Sequence, residues 1–262
     1  MGILNVTPDS FSDGGKYADR RRAVERAVAM AGEGAGIIDV GGESTRPGAR
    51  AVSEAEETAR VIPVIAAISK RVRIPISVDT RKAKVAEAAI RAGASVVNDV
   101  SGLKYDPAMA KVAAGYGAGV VVMHMKGTPA DMQRSPRYGD LIREIKAALR
   151  DSIRIARAAG IDGNKIIIDP GIGFGKTVKH NLEILNRLDE FKDLGKPVCV
   201  GTSRKAFIGA VLDLPAEGDR LAGTIATCVI AIMNGADILR VHDVKEAAQA
   251  AAITGRILKT RD

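Results

Sequence analysis

The chain has 262 residues, of which 46% are hydrophobic, and it carries a formal net charge of +8 at pH 7. That length allows one domain or two, although single α/β barrels typically run near it. No stretch approaches the ~20 consecutive apolar residues that a membrane helix needs. Tryptophan is absent, aromatic residues make up 3% and the basic residues stand beside acidic ones, so the composition argues against a nucleic-acid-binding protein.

Short apolar runs rich in Val and Ile alternate with longer amphipathic stretches along the chain. The apolar runs predict strands at residues 2–5, 36–41, 74–79, 95–99, 119–124, 165–169, 197–201 and 237–241. The clearest predicted helices span residues 19–34, 53–71, 82–92, 138–159, 177–190, 219–234 and 243–258. Continuous apolar strands, each followed by a helix, are typical of a parallel sheet that is buried on both faces.

Eight strand–helix units predict a closed (β/α)8 barrel, or TIM barrel, that spans residues 1–262 as a single domain. An open doubly wound sheet is the alternative that the same pattern allows. Loops longer than the usual ~2–6 residues follow the first, second and fifth strands, at residues 6–18, 42–52 and 125–137. Long loops at this end of a barrel usually carry the function, so we expect the site there.

Polar residues recur where the predicted strands end, at Asn5, Asp79, Asn98, His124, Asp169, Arg240 and His242. Asp79 and Asp169 could each be explained as a helix N-cap, because Asp caps helices well. A ring of such residues at one end of a barrel instead predicts one ligand pocket, since the barrel brings the strand ends together.

The chemistry of this ring divides in two. The carboxylates of Asp79 and Asp169 and the carboxamide of Asn98 suit a heterocycle that presents several N–H donors and a carbonyl. Lys205, just beyond the seventh strand, adds a cation to the same rim. Arg240 and the histidine after it follow the eighth strand, where barrels often bind phosphate.

Two of the long loops contribute an aromatic side chain and a cation. Phe11 follows the first strand, and Arg46 and Pro47 follow the second, among glycines and other turn-forming residues. Surface turns explain the Gly and Pro residues well. An aromatic side chain and an Arg on glycine-hinged loops suit a lid that closes on substrate.

Three other features have ordinary explanations. Residues 169–177 (DPGIGFGKT) resemble a phosphate-binding loop, but position 170 is Pro where that motif requires Gly. The three histidines are scattered without metal-ligand spacing, so a zinc site is not expected. Cys199 and Cys228 lie in apolar runs, and no signal segment opens the chain, so we expect buried free thiols in a cytoplasmic protein.

Together the motifs resemble those of the bacterial dihydropteroate synthases, pterin-binding TIM-barrel enzymes of folate biosynthesis, from residue 1 to about residue 258. They are GILNVTPDSFSDGG (2–15), IIDVGGESTRPGA (37–49), ISVDTRK (76–82), VVNDVSG (96–102), VVMHMKGTP (121–129), IIIDPGIGFGKT (166–177), VGTSRKAFIG (200–209) and RVHDV (240–244). The resemblance implies a transferase that joins 6-hydroxymethyl-7,8-dihydropterin diphosphate to p-aminobenzoate, giving 7,8-dihydropteroate and pyrophosphate.

The resemblance also implies roles for the matching residues. The pterin would be held and lined by Asp79, Asn98, Met123, Asp169, Phe174, Gly201 and Lys205. The diphosphate would be bound by Asn5, Thr45, Arg46, Arg240 and His242. The p-aminobenzoate, and sulfonamides that mimic it, would contact Phe11, Thr45, Arg46, Pro47, Ser203 and Lys205. His124 would be structural.

The family mechanism breaks the C–O bond to pyrophosphate first and leaves a cationic pterin methylene, which the arylamine then attacks. Asp79 would stabilise that cation, while Mg²⁺, Arg240 and His242 would stabilise the departing anion. Lys205 belongs to the same catalytic group. The resemblance places Mg²⁺ between the diphosphate and Asn5, and it implies a homodimer formed through the late helices.

Departures from the family pattern are few. Gly36 stands where the family commonly has Asp, and the chain begins inside the first strand, so the usual preceding hairpin segment is expected to be missing. The nearest alternative function is a methyltetrahydrofolate-dependent methyltransferase, which would need neither Lys205 nor the anion-binding pair Arg240 and His242. A non-catalytic pterin-binding protein is the other alternative, and it would not need a lid.

Overall fold

The computed structural model describes residues 1–7, 16–44, 52–128, 131–215 and 218–260, with residues 16–19 described through their helical backbone alone. No helix in these ranges is both long and apolar enough to cross a membrane.

Eight short parallel strands form the centre of the described structure. They are β1 (Gly2–Asn5), β2 (Ile38–Gly41), β3 (Ile76–Asp79), β4 (Val96–Asp99), β5 (Gly119–Met123), β6 (Ile166–Asp169), β7 (Cys199–Val200) and β8 (Ile238–Leu239). Strands β1 to β6 pair in sequence order as one sheet, and β7 pairs with β8 as a second. All of these pairs are parallel.

Two isolated parallel bridges join the two sheets into a ring. Ile168 of β6 is bridged to Val198, and Gly2 of β1 is bridged to Val241. At the second junction the Ile3 amide donates to the Val241 carbonyl oxygen at 2.8 Å. The predicted TIM barrel is therefore confirmed, and the open doubly wound sheet is wrong. That residues 1–262 form a single domain stays a prediction.

Helices cover the outside of the barrel. In the described residues they are α1 (Lys16–Gly32), α2 (Glu54–Ile68), α3 (Ala83–Arg91), α4 (Met109–Gly115), α5 (Leu141–Ala158), α6 (Val178–Asn186), α7 (Ala206–Val211), α8 (Leu221–Met233) and α9 (Val244–Leu258). The helices α4 and α7 are absent from the clearest sequence predictions, because segments of seven and six residues are too short to display a helical period.

Side-chain alternation decides what each strand presents to the helices and what it presents to the barrel interior. Residues such as Val40, Val78 and Val97 belong to the large apolar core under the helices. The alternate positions carry polar side chains among apolar ones such as Val121 and Ile167. The polar ones are Asn5, Asp39, Ser77, Asp79, Asn98, Asp169 and, just beyond β8, Arg240. A buried polar group is costly unless it is paired or meets a ligand, so the polar residues at the strand ends mark the candidate site: Asn5, Asp79, Asn98, Asp169 and Arg240.

Candidate active site

The carboxyl ends of β1 to β4 place a row of side chains next to one another. In the strand register Asn5 lies beside Gly41, Gly41 beside Asp79, and Asp79 beside Asn98. A Cβ atom added at Gly41 would lie 3.7 Å from Asn5 Oδ1 and 3.6 Å from Asp79 Cβ. Because Gly41 has no side chain of its own, the Asn5 and Asp79 side chains can both approach it closely.

The N-cap interpretation of the strand-end aspartates is wrong. The residue that precedes α3 as its N-cap is Lys82, three positions after Asp79. The N-cap of α6 is Thr177, and the Asp169 carboxylate instead accepts a 2.6 Å hydrogen bond from the Gly171 amide. Both carboxylates therefore stay at the end of the barrel, where the pocket hypothesis puts them.

Arg240 lies between two carboxylates. Its Nε donates to Asp39 Oδ2 and its Nη2 donates to Asp79 Oδ2, each at 2.7 Å. Asp39 also accepts a 3.0 Å hydrogen bond from Nδ2 of Asn98. The guanidinium predicted for the anion-binding rim is thus directly joined to the predicted pterin floor. Asp39 was missed by the sequence analysis, although a charged residue inside the apolar run of β2 was a visible signal.

Burial sets the charge state of these acids. It raises the pKa of Asp79 to about 7; the Arg240 charge opposes this shift, and the Asp39 charge adds to it. Burial also raises the pKa of Asp169, while the Gly171 amide and the Lys205 charge oppose it. The charged form of both acids is therefore destabilised by burial. A bound ligand that brings a hydrogen-bond donor or a positive charge would stabilise it.

Lys205 lies over the Phe174 ring, with its Nζ 4.1 Å from the ring centroid. Burial lowers the pKa of Lys205 to about 8, helped by the Arg240 charge and opposed by the Asp169 and Asp79 charges. Gly173 permits this approach, because a Cβ there would lie 3.1 Å from Lys205 Cδ. The predicted cation and the predicted aromatic wall are thus brought together.

The apolar wall of the site forms a small cluster apart from the main core. Met123 and Phe174 pack there with Val100 and Met132. Gly201 lies next to Arg240, since a Cβ at Gly201 would lie 3.8 Å from Arg240 Cβ. The predicted lining residues Met123 and Phe174 thus belong to the same cluster, and Gly201 contacts the predicted anion-binding residue.

Ser203 and His242 contact each other, although the resemblance assigns them to different ligands. Ser203 Oγ lies 3.0 Å from His242 Nδ1, and the His242 amide donates to the same hydroxyl at 3.1 Å. The predicted p-aminobenzoate and diphosphate subsites thus share an edge.

Lys176, set aside with the failed phosphate loop, is buried and points inward. Its Nζ lies 3.0 Å from His124 Nδ1 and donates to the Phe174 carbonyl oxygen at 3.0 Å. Burial lowers the pKa of Lys176 to about 7. Burial, together with the Lys176 charge, lowers the pKa of His124 to about 2. His124 is buried and bound to Lys176. This agrees with the structural role predicted for it.

Four residues predicted for the lid and the outer subsites lie outside the described part of the chain. They are Phe11, Thr45, Arg46 and Pro47. Their predicted roles stay predictions.

Comparisons with known proteins agree on one family. A family model described as "Pterin binding enzyme" matches residues 1–242. A dihydropteroate synthase of Bacillus subtilis (strain 168) is 53% identical over 258 residues, which cover 98% of this chain and 88% of the relative. The Yersinia pestis dihydropteroate synthase, solved as a sulfonamide drug complex, superposes with a TM-score of 0.93 at 46% identity, covering 99% of this chain and 94% of that one. The Xanthomonas albilineans enzyme in complex with 7,8-dihydropteroate superposes with a TM-score of 0.89 at 40% identity, covering 98% and 92%.

Proposed function

This chain belongs to the family of pterin-binding enzymes, and from that premise we propose that it acts as a dihydropteroate synthase. It joins 6-hydroxymethyl-7,8-dihydropterin diphosphate to p-aminobenzoate and releases pyrophosphate, a step of folate biosynthesis. The observation that carries the proposal is the floor of Asp79, Asn98 and Asp169 at the strand ends, where the charge of Lys205, which lies over Phe174, interacts with both carboxylates.

The floor fits the edge of a dihydropterin. Its carboxylate and carboxamide oxygens accept hydrogen bonds, and a pterin presents amino and ring N–H donors along one edge. The Lys205 ammonium supplies a donor for the carbonyl and ring nitrogen at the other edge. Met123 and Phe174 cover the ring faces with apolar surface, as in most small-molecule sites.

The reacting bond would lie above this floor. When the C–O bond breaks, its electron pair leaves with the pyrophosphate, and positive charge develops on the pterin methylene. The Asp79 carboxylate stabilises that charge from the floor. Arg240 and His242 stabilise the departing anion. The neutral amine of p-aminobenzoate, beside Ser203, then attacks the methylene with its lone pair and loses one proton to solvent. We place Thr45 and Arg46 above the diphosphate, and Phe11 and Pro47 above the aminobenzoate, from the sequence alone.

Mg²⁺ is part of this proposal. The ion prefers oxygen ligands and is commonly held by one or two side chains together with substrate phosphates. Asn5 offers a carboxamide oxygen at the end of β1, next to Gly41. Within the described ranges no group of three or more His, Cys, Asp or Glu side chains could hold the ion alone. This donor set fits an ion carried largely by the diphosphate, whose charge it would offset.

Pyrophosphate release tests the proposed function. The purified protein should release pyrophosphate from the pterin diphosphate only when p-aminobenzoate and Mg²⁺ are both present, because the amine completes the substitution and the cation offsets the leaving-group charge. A coupled phosphate assay measures the rate, and a sulfonamide should raise the apparent KM for p-aminobenzoate. Release that ignores p-aminobenzoate, or no release with both substrates, would refute the proposal and favour a binding protein or another pterin-dependent transferase.

We further propose that the enzyme is a cytoplasmic homodimer. Cys199 and Cys228 are buried free thiols, which suits a reducing compartment. Four large apolar side chains of the adjacent helices α8 and α9 are exposed, namely Ile230 (44%), Met233 (51%), Ile253 (65%) and Ile257 (56%). Such a concentration of exposed apolar surface is typical of an interface.

Ile253→Asp should convert the dimer to a monomer, because each copy would bury an unpaired charge in a symmetric interface. Light scattering coupled to size-exclusion chromatography measures the mass. Tyr116→Asp is the control, since it introduces the same charge in place of an exposed aromatic side chain at the end of α4. A wild-type protein that is monomeric at micromolar concentration, or an Ile253→Asp variant that stays dimeric, would contradict this interface.

A further inference from the structure

A fully buried carboxylate lies directly under the site, and none of the roles above includes it. Asp39 is 0% exposed and occupies the middle of β2. Its Oδ2 accepts from both Arg240 Nε, at 2.7 Å, and Asn98 Nδ2, at 3.0 Å. Its Oδ1 is buried and has no hydrogen-bond partner among the described residues. Both of its bonds therefore lead to residues of the site.

The hydrogen bond from Asn98 to Asp39 determines the orientation of the Asn98 amide. The two ends of an asparagine amide differ, since one donates and the other accepts, and neighbouring groups decide the orientation. Arg240 can only donate, so the oxygen that it shares with Asn98 must accept. Turning the amide over would place two oxygen atoms against each other in a buried position. Asp39 therefore holds the Asn98 nitrogen downward and directs its carbonyl oxygen away from itself.

The hydrogen bond from Arg240 to Asp39 fixes the plane of the Arg240 guanidinium. The group is held at two points, Nε on Asp39 and Nη2 on Asp79. Because the guanidinium is planar and rigid, two contacts determine the direction of its remaining N–H groups. With Asp39 removed, Arg240 would keep only Asp79 and could rotate about that contact.

We propose that Asp39 is a positioning residue that sets the hydrogen-bond pattern of the pterin floor without touching the substrate. It orients the Asn98 amide and the Arg240 guanidinium, and so it decides which heterocycles the floor accepts. This inference rests on the proposed pterin-dependent function. A carboxylate that only balanced the Arg240 charge would affect the affinity for all ligands alike, whereas an orienting carboxylate affects the discrimination between them.

Asp39→Asn tests this difference. The variant keeps the size of the side chain but loses the charge that holds Arg240. Once Arg240 rotates away, the new NH2 group can donate to the Asn98 carbonyl oxygen, so the Asn98 amide is free to turn over. Calorimetry should measure binding of 6-hydroxymethylpterin and of 6-hydroxymethyllumazine, in which an oxo group replaces the 2-amino donor. We expect the wild type to prefer the pterin and the variant to lose at least about tenfold of that preference, the scale of one charged hydrogen bond.

Steady-state kinetics supply a second readout. The KM for the pterin diphosphate should rise by about tenfold or more in Asp39→Asn, while the KM for p-aminobenzoate stays within about twofold. Ser77→Ala is the matched control. Ser77 is the register partner of Asp39, is equally buried and has no hydrogen-bond partner for its hydroxyl in the described structure. Its truncation should leave both KM values and the ligand preference unchanged.

Asp39→Ser, whose hydroxyl can also accept or donate, is the second variant if Asp39→Asn does not fold, and the same result is expected of it. A variant that loses affinity for pterin and lumazine equally, or that keeps the wild-type preference, would overturn the positioning role. A wild-type protein that binds neither heterocycle would instead refute the proposed function itself.

Discussion

Asp79→Asn should lower kcat/KM for the pterin diphosphate by an amount equivalent to about 2–4 kcal/mol of transition-state stabilisation. Asp79 ends β3, and its carboxylate is joined to Arg240 at 2.7 Å. Asparagine keeps the shape and one acceptor oxygen but removes the negative charge that faces the developing pterin cation. The loss should therefore appear in kcat as well as in KM, measured by pyrophosphate release at saturating p-aminobenzoate.

The same variant should change the pH profile. Burial raises the pKa of Asp79 to about 7, so below that pH the neutral acid predominates and the stabilising charge is lost. Wild-type activity should rise with pH through about 7, and this acid limb should be absent in Asp79→Asn. Asp140→Asn, which alters only the N-cap of α5, should retain the wild-type profile. A rate within threefold of the wild type, with the acid limb intact, would exclude the proposed role of the Asp79 charge.

Gly171→Ala should destabilise the protein by more than about 3 kcal/mol, the sum of left-handed strain and a severe steric overlap. Gly171 has φ +74°, and a Cβ there would lie 1.9 Å from the His124 carbonyl oxygen, which is backbone and cannot rotate away. The segment from β6 to α6 would have to move, and it carries both Phe174 and Lys176. Urea denaturation measures the free energy of unfolding.

Gly195→Ala is the matched control for this substitution. Gly195 has φ +61° and nothing within 4 Å of an added Cβ, so alanine there adds conformational strain without a clash. A loss of about 1 kcal/mol is expected. The Gly171 variant should also have a higher KM for the pterin diphosphate, since Phe174 lines that slot. Equal losses in the two variants would show that the tight approach of Gly171 to His124 does not matter.

The sequence predicted the barrel well because its pattern is local. A continuous apolar run predicts a strand such as Ile166–Asp169, and the helix that follows each run predicts that the strands are parallel. The strand-end positions of Asp79, Asn98 and Asp169 follow from the same pattern. The short helix Ala206–Val211 was not predicted, since six residues cannot display a helical period.

The partners of the site residues could not be predicted, because they depend on distances between remote parts of the chain. Arg240 is separated from Asp39 by 201 positions, and nothing local to either residue indicates that they pair. Lys176 was associated with phosphate by its neighbours in sequence, and its actual partners, His124 and the Phe174 carbonyl, come together only once β5 and β6 are side by side. Asp39 could not be predicted as part of the site from the strand-end pattern, because it lies inside β2 and its link to the site is the contact with Arg240 and Asn98.

The site residues are divided between the two sheets that together form the barrel, one of six strands and one of two. The carboxylates of Asp39 and Asp79 stand on the six-stranded sheet, whereas Lys205 and Arg240 follow the strands of the two-stranded pair. Single bridges join these pieces at each seam, so backbone amides there should exchange with solvent sooner than those between β2 and β3. The ion pairs of Arg240 with Asp39 and Asp79 are an additional contact between the two-stranded and the six-stranded sheet. An anion that draws Arg240 away from Asp79 would have to compete with these ion pairs, so tighter anion binding at Arg240 would weaken a contact between the two sheets.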